Sequence, residues 1–137
     1  MTLRKVKQRP GKPLWFGKAK NGTIVFALPG NPVSSFMCTH RYVLPWLRKS
    51  SKLKDQLMPK AILEKDFNFK PELTYYLQVA IRIDEKGSLY ATPVEGHGSG
   101  DLANLIDADA FLELPPDQTS FKAGTVFPLI FYRSFFN

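Results

Sequence analysis

The sequence is poor in the residues that build disulfides and metal sites. Its 137 residues include a single cysteine, Cys38, and only two histidines. A lone cysteine cannot form an internal disulfide, and two separate histidines cannot form a histidine-rich zinc site. We therefore expect a buried Cys38 thiol in a cytoplasmic protein, and no metal ligands from this chain. Neither a Ser-His-Asp nor a Cys-His set of a hydrolase is evident.

Long apolar runs are also missing. No run approaches the roughly 18 residues of a membrane-spanning helix. The basic start, Met1 to Lys12, is not followed by the apolar core and cleavage site of a signal peptide. These absences argue against a membrane or secreted protein. The content of 44% hydrophobic and 13% aromatic residues is still typical of a folded globular chain.

Acidic residues are absent from the first part of the chain. Residues 1–54 contain twelve of the nineteen Lys and Arg and no Asp or Glu, whereas residues 55–137 contain the other seven and all twelve acids. Such a change in charge predicts two units with different partners. Phosphate-bearing ligands, oxyanions and nucleic acid are candidates for the basic unit, and a basic surface kept for solubility is the alternative.

The first unit contains too few elements for a complete α/β domain. Residues 3–8 and 13–16 are short extended candidates, and the apolar Thr23 to Leu28 predicts a strand buried on both faces. Asn31 and Pro32 predict the N-cap and first position of a helix that reaches Leu47 and is kinked or ended early at Pro45. One helix cannot cover both faces of a sheet. We therefore predict that residues 1–54 are the C-terminal part of an α/β domain, with the remainder upstream or in another chain.

In the second unit, apolar and less apolar residues alternate with a period of two. Leu77, Val79, Ile81 and Ile83 alternate with less apolar residues, and a turn at 84–87 leads into a partner strand at 88–94. Further strands are predicted at 60–66, 110–114 and 125–133, with a short helical turn at 101–108. This pattern predicts that residues 55–137 form a small, mainly antiparallel β-barrel or sandwich.

Three short segments are candidates for ligand binding. In the first, residues 28–34, a strand ends and a helix begins, so free N–H groups and the helix dipole favour an anion. In the second, residues 9–13, Arg9 and Lys12 lie on a stiff turn where they could clamp a dianion. The third, residues 96–100, has three glycines that permit close approach of a ligand, and Ser99 as a donor. A capped helix, solvated charges and ordinary turns are the alternatives. His97 and His40 are interpreted as a loop residue and a core residue.

These segments together resemble one family. The sequences RPGKP at 9–13, LPGNPVS at 28–34, GHGSG at 96–100 and AxAFLxLP at 108–115 closely resemble molybdopterin molybdotransferases, which include MoeA-type enzymes and the gephyrin E domain. The resemblance is collinear over nearly the whole chain. It implies the insertion of molybdate into adenylylated molybdopterin with release of AMP, assisted by Mg²⁺, in a homodimeric full-length protein.

The resemblance also implies roles for individual residues. Lys12 matches a lysine at the family's molybdate site and is the candidate catalytic residue. The implied anion site comprises Arg9, Lys12, Pro13, Ser34 and Ser99, and the adjoining loop and helix start comprise Pro29, Gly30, Asn31 and Pro32.

Two departures from the family limit what the chain should do alone. Residues 73–78 have no Arg where the family usually has one, and the family's upstream Gly-Gly-x-Ser segment with its acidic residue is not in the sequence. We therefore expect the isolated chain to be inactive, with the Mg²⁺ ligands outside it. A scaffold that binds a partner is the alternative. Nucleic-acid binding is disfavoured, because Trp15, Phe16, Phe26 and Phe36 lie mostly in apolar patterns.

Overall fold

A computed structural model of the chain describes residues 4–96 and 102–133, and the side chains of residues 4 and 5 are not described. The first part contains strands β1 (Arg4–Lys5), β2 (Gln8–Arg9), β3 (Trp15–Lys18) and β4 (Ile24–Ala27). Strands β1, β3 and β4 form an antiparallel sheet with β3 in the centre, while β2 pairs with a strand of the second part.

Strand β4 corrects one prediction. Thr23 to Leu28 is not buried on both faces, because the residues of β4 are half-buried or exposed. In the part of the chain that the structure describes, β4 is an edge strand of this three-stranded sheet. An apolar sequence favours burial, but it cannot indicate whether the residues that would cover the strand are present.

The helix begins as predicted and changes its winding before Pro45. It comprises α1 (Pro32–Cys38), a π-helical segment (Thr39–Val43) and α2 (Leu44–Ser50), and the Asn31 side chain caps its start. Proline lacks the N–H for the regular bond, and its ring clashes with the carbonyl four residues earlier. The wider π turn, in which the Leu44 N–H bonds to the Thr39 carbonyl, accommodates this clash. The interruption expected at Pro45 therefore occurs as a π-helical segment.

The second part is a closed barrel with additional strands. Its elements are β5 (Lys60–Leu63), β6 (Phe67–Asn68), β7 (Thr74–Ile83), β8 (Leu89–Pro93), α3 (Asn104–Asp107), β9 (Ala110–Leu114), β10 (Ser120–Phe121) and β11 (Val126–Phe131). Five strands close in the order β7-β8-β5-β11-β9 and back to β7. Within this ring only the β5–β8 pair is parallel. The predicted small, mainly antiparallel barrel is confirmed, and the molecule is mostly β.

Two hydrophobic clusters share the wall of the barrel. The inner cluster includes Leu77, Val79 and Leu112, which alternate along β7 and β9 as the sequence pattern predicts. The outer cluster joins Leu14, Met37 and Cys38 with barrel residues of the opposite parity, which are Tyr76, Phe111 and Ile130. Helix α1 therefore packs on the outside of the barrel. Among the described residues, no helix has the length and apolar character to cross a membrane.

Candidate functional site

The basic turn and the start of α1 line one cavity of about 400 Å³. Its wall is formed by Gln8, Arg9, Pro10, Gly11, Lys12, Pro13, Asn31, Ser34 and Leu73. Strand β2 brings the turn to this position by pairing with the start of β7. The packing of Met37 and Cys38 on the barrel brings the start of α1 to the same side. The cavity thus lies where the first part of the chain meets the barrel.

Most of the site residues that the sequence singles out meet in this cavity. Arg9, Lys12, Pro13, Asn31 and Ser34 line it. The neighbouring loop residues Pro29, Gly30 and Pro32 are not part of its wall, and Ser99 lies outside the described residues, as does the rest of the segment after Gly96. That these residues bind an anion stays a prediction.

The cations of the turn are accessible from solvent. Arg9 and Lys12 are both exposed, and the cavity wall contains no acidic residue. None of the ion pairs between described residues involves Lys12. The Arg9 guanidinium carbon lies 5.9 Å from the centre of the Phe69 ring, in the range of a cation–π contact. The cavity therefore has a positive rim.

The start of α1 is less available to a ligand than its sequence indicates. The Asn31 side-chain oxygen accepts from the Ser34 N–H at 3.1 Å and from the Ser34 hydroxyl at 3.3 Å. The Ser35 N–H donates to the Asn31 carbonyl at 2.9 Å, and the Ser35 hydroxyl donates to the Pro29 carbonyl. These donors are already satisfied within the protein. The charge for an anion would therefore come mainly from the basic turn.

A second cavity, of about 280 Å³, shares Pro10 with the first. Gln78 lines it, is 7% exposed, and its Nε2 has no hydrogen-bond partner in the described structure. A buried donor without a partner costs about 1–3 kcal/mol, so its presence needs an explanation. Gln78 lies in the segment where the family's Arg is missing. Nothing in the sequence distinguishes this glutamine, which alternates with the inward-facing Leu77 and Val79.

Gly96 and Asn104 form another part of this second cavity. Asn104 is 8% exposed, and a Cβ atom at Gly96 would lie 2.0 Å from its side-chain oxygen. A larger residue at position 96 would therefore have to displace the buried Asn104 side chain.

Gln8 is a second buried glutamine, and it was not predicted as a site residue from the sequence. It is 2% exposed, and its Nε2 donates to the Gly11 carbonyl at 3.3 Å and to the Cys38 sulfur at 3.4 Å. Burial raises the pKa of Cys38 to about 11, against the opposing effect of the bond from Gln8. The thiol is therefore protonated at neutral pH. Its burial is as predicted, and it is a packing residue in this environment.

The described residues do not fit a magnesium site. Nowhere in residues 4–96 and 102–133 do three or more His, Cys, Asp and Glu residues group closely enough to hold a metal. His40 lies 4.6 Å from Phe36 between ring centroids, and burial lowers its pKa. His40 is only half-buried, so its interpretation as a core residue is met in part.

Comparisons with known proteins give one consistent result. The sequence model of the MoeA C-terminal region (domain IV) matches residues 60–132. The chain is 41% identical over 124 residues to a molybdopterin molybdenumtransferase of Synechocystis sp., covering 90% of this chain and 29% of that protein. It is 33% identical over 133 residues to the molybdenum cofactor synthesis protein cinnamon of Drosophila melanogaster, covering 90% of this chain and 21% of that protein.

Solved structures agree with the sequence matches. A molybdopterin biosynthesis moeA protein of Pyrococcus horikoshii superposes with a TM-score of 0.73 at 26% identity, covering 95% of this chain and 32% of that one. A molybdenum cofactor biosynthesis protein of Pyrococcus furiosus gives a TM-score of 0.75 at 28% identity, covering 96% and 46%. The chain thus spans less than a third of the length of the two curated relatives above.

Proposed function

This chain belongs to the MoeA C-terminal region (domain IV) family, and from that membership we propose that it is the C-terminal part of a molybdopterin molybdenumtransferase. Its relatives are named for steps of molybdenum-cofactor biosynthesis, which supports a role of the family in that pathway. The proposed reaction of the whole protein inserts molybdate into adenylylated molybdopterin and releases AMP.

The observation that carries this proposal is the convergence of Arg9 and Lys12 on one cavity with Asn31 and Ser34. Molybdate is a tetrahedral dianion, and two cations on a short turn match its charge. No carboxylate lines the cavity to oppose it. In the proposed mechanism the turn holds the oxyanion in place, and Lys12 offsets the charge on its oxygens while the two sulfur atoms of the molybdopterin dithiolene group approach. Positioning and charge stabilisation of this kind account for much of the rate enhancement that enzymes achieve.

Gln78 complements the basic turn in the proposal. Gln78 lines the cavity adjoining the turn, its buried Nε2 has no partner in the described structure, and both cavities are lined by Pro10. An amide donor recognises oxygen without adding charge. We assign it a hydrogen bond to substrate oxygen, the contact for which the family usually uses an Arg.

The division of the chain is part of the same proposal. We assign residues 1–54 to the end of an α/β molybdopterin-binding domain and residues 55–137 to the C-terminal barrel domain. Exposed Trp15, Phe16 and Leu28 on or beside the three-stranded sheet support a covering segment outside this chain. The Mg²⁺ ligands and the rest of the pterin site would lie in that segment, and no catalytic step is assigned to the metal here.

The test measures the AMP that is released from adenylylated molybdopterin in the presence of molybdate. We expect turnover by the full-length protein, none by the 137-residue chain alone, and none by full-length protein carrying Lys12→Ala. Lys20→Ala, which removes an exposed lysine outside the cavity, is the matched control and should stay active. Unchanged turnover in Lys12→Ala would refute the assignment of Lys12, and turnover by the isolated chain would refute its dependence on an upstream segment.

A further inference from the structure

A network of polar side chains connects the basic turn to the wall of the barrel. It runs through Gln8, Tyr42, Tyr76, Glu113 and Arg41. We infer that this network is a positioning device, which fixes the turn so that Lys12 faces the cavity. The inference rests on the proposed function, because it concerns the placement of the lysine assigned to molybdate.

The network holds the turn through both ends of the Gln8 amide. Nε2 donates to the Gly11 carbonyl, and Oε1 accepts from the Tyr42 hydroxyl. The same Gly11 carbonyl accepts from the Leu14 N–H at 3.1 Å, which closes the turn around Lys12. Gln8 lines the cavity, but these bonds occupy its amide, so it acts through the turn and does not contact the ligand.

Gly11 allows the turn to pack closely against the side chains of Gln8 and Cys38. Its φ is +89°, a conformation that favours glycine, and a Cβ there would lie 2.7 Å from both the Cys38 sulfur and the Gln8 Nε2. Lys12 follows directly and has no ion pair of its own among the described residues. Its placement therefore depends on the backbone of the turn, which Gln8 holds.

The other end of the network lies on the barrel. The hydroxyls of Tyr42 and Tyr76 lie 3.3 Å apart, but each donates its single proton elsewhere, Tyr42 to Gln8 Oε1 and Tyr76 to Glu113 Oε1 at 2.9 Å, so the two halves of the network are joined through the helix that carries Arg41 and Tyr42. The same carboxylate oxygen pairs with Arg41 Nε at 3.2 Å. Tyr76 and Glu113 are directly opposite each other on β7 and β9.

This arrangement ties three elements together. Arg41 and Tyr42 both come from the π-helical segment, so the network connects turn, helix and barrel wall. Burial raises the pKa of Tyr42 and of Tyr76. Both hydroxyls therefore keep their protons at neutral pH, as the network requires.

The experiment measures the affinity of the 137-residue chain for molybdate by calorimetry, together with its unfolding temperature. Gln8→Met keeps the size of the side chain and removes the three hydrogen bonds of the amide, to the Gly11 carbonyl, to the Cys38 sulfur and from the Tyr42 hydroxyl. We expect it to weaken molybdate binding about tenfold, which corresponds to roughly 1.4 kcal/mol. In combination with Lys12→Ala it should weaken binding no further than Lys12→Ala alone, because it acts only through Lys12.

Two further variants separate positioning from general stability. Thr92→Val removes a hydrogen bond to Glu64 on another part of the barrel, and it should lower the unfolding temperature without changing affinity. Tyr42→Phe removes the hydrogen bond to Gln8 Oε1 without changing the turn sequence. It should weaken molybdate binding, as Gln8→Met does. It also keeps the test decisive if Gln8→Met does not fold.

The outcomes distinguish this inference from the proposed function. Wild-type binding that is lost in Lys12→Ala but unchanged in Gln8→Met and Tyr42→Phe would overturn the inference alone. Full additivity of Gln8→Met and Lys12→Ala would also overturn it, by indicating that Gln8 contacts molybdate directly. If the wild-type chain does not bind molybdate, or if Lys12→Ala binds equally well, the proposed site fails and the inference fails with it.

Discussion

The two buried glutamines, each lining a cavity that Pro10 also lines, differ in one respect that decides their roles. Both bonding ends of the Gln8 amide are occupied within the protein, whereas the Nε2 of Gln78 has no partner in the described structure. Replacing a satisfied buried amide removes hydrogen bonds, while replacing an unsatisfied one removes a desolvation cost. Gln8 is therefore suited to hold structure, and Gln78 is suited to meet a ligand.

The same substitution at these two positions should have opposite effects on stability. Gln78→Leu should raise the free energy of unfolding by about 1 kcal/mol, because the unpartnered donor is gone, and it should weaken molybdate binding. Gln8→Leu is the matched control and should lower the free energy of unfolding. Denaturant unfolding and calorimetry measure the two quantities. A destabilised Gln78→Leu, or one that binds molybdate normally, would exclude Gln78 as a donor held ready for substrate.

At this scale the sequence could predict only part of the site. Arg9 and Lys12 are neighbours on a short turn, so their joint presence in the cavity follows from local geometry. Gln8 and Gln78 acquire their roles through the pairing of β2 with β7 and the closure of the barrel. Those contacts join residues distant in sequence, and no local pattern specifies them.

The start of α1 combines two tasks that one pair of variants can separate. Asn31 caps the helix through its side-chain oxygen and also lines the cavity. Asn31→Asp keeps the hydrogen-bond acceptor, and its negative charge suits the positive end of the helix dipole. The free energy of unfolding should therefore stay unchanged. The added negative charge should weaken molybdate binding.

Asn31→Ala should have the complementary effect. Loss of the cap should lower the free energy of unfolding by about 1 kcal/mol, with a smaller loss of affinity than in Asn31→Asp. Thermal unfolding and calorimetry measure both variants. Equal affinity of Asn31→Asp and wild type would argue against an anion in this cavity.

Element boundaries followed the sequence where periodicity was long or a cap was distinctive. The alternation in β7 and the Asn31-Pro32 pair identified a strand and a helix start correctly. The two-residue strands β6 and β10 were not predicted, because two residues display no period. Burial along β7 was also only partly predicted, since Ile83 continues the alternation but is 44% exposed at the end of the strand.

The molecule as a whole consists of a closed barrel and a first part whose three-stranded sheet has an exposed face. The barrel has its own inner cluster, and the three-stranded sheet leaves Trp15 and Phe16 more than a third exposed. The outer cluster nevertheless joins the two parts, because Leu14, Met37 and Cys38 pack with barrel residues. The change of charge near residue 54 predicted two units. It could not predict that they share a core, because composition carries no information about contacts.

The central claim is that the basic turn at the junction of the two parts binds a doubly charged oxyanion. Its most direct test is calorimetric titration of the 137-residue chain with molybdate, comparing wild type with Lys12→Ala and Lys20→Ala. We predict saturable binding by wild type and Lys20→Ala, and affinity at least about tenfold weaker in Lys12→Ala. An absence of molybdate binding, with tight and steeply salt-dependent binding of single-stranded DNA in its place, would contradict the claim.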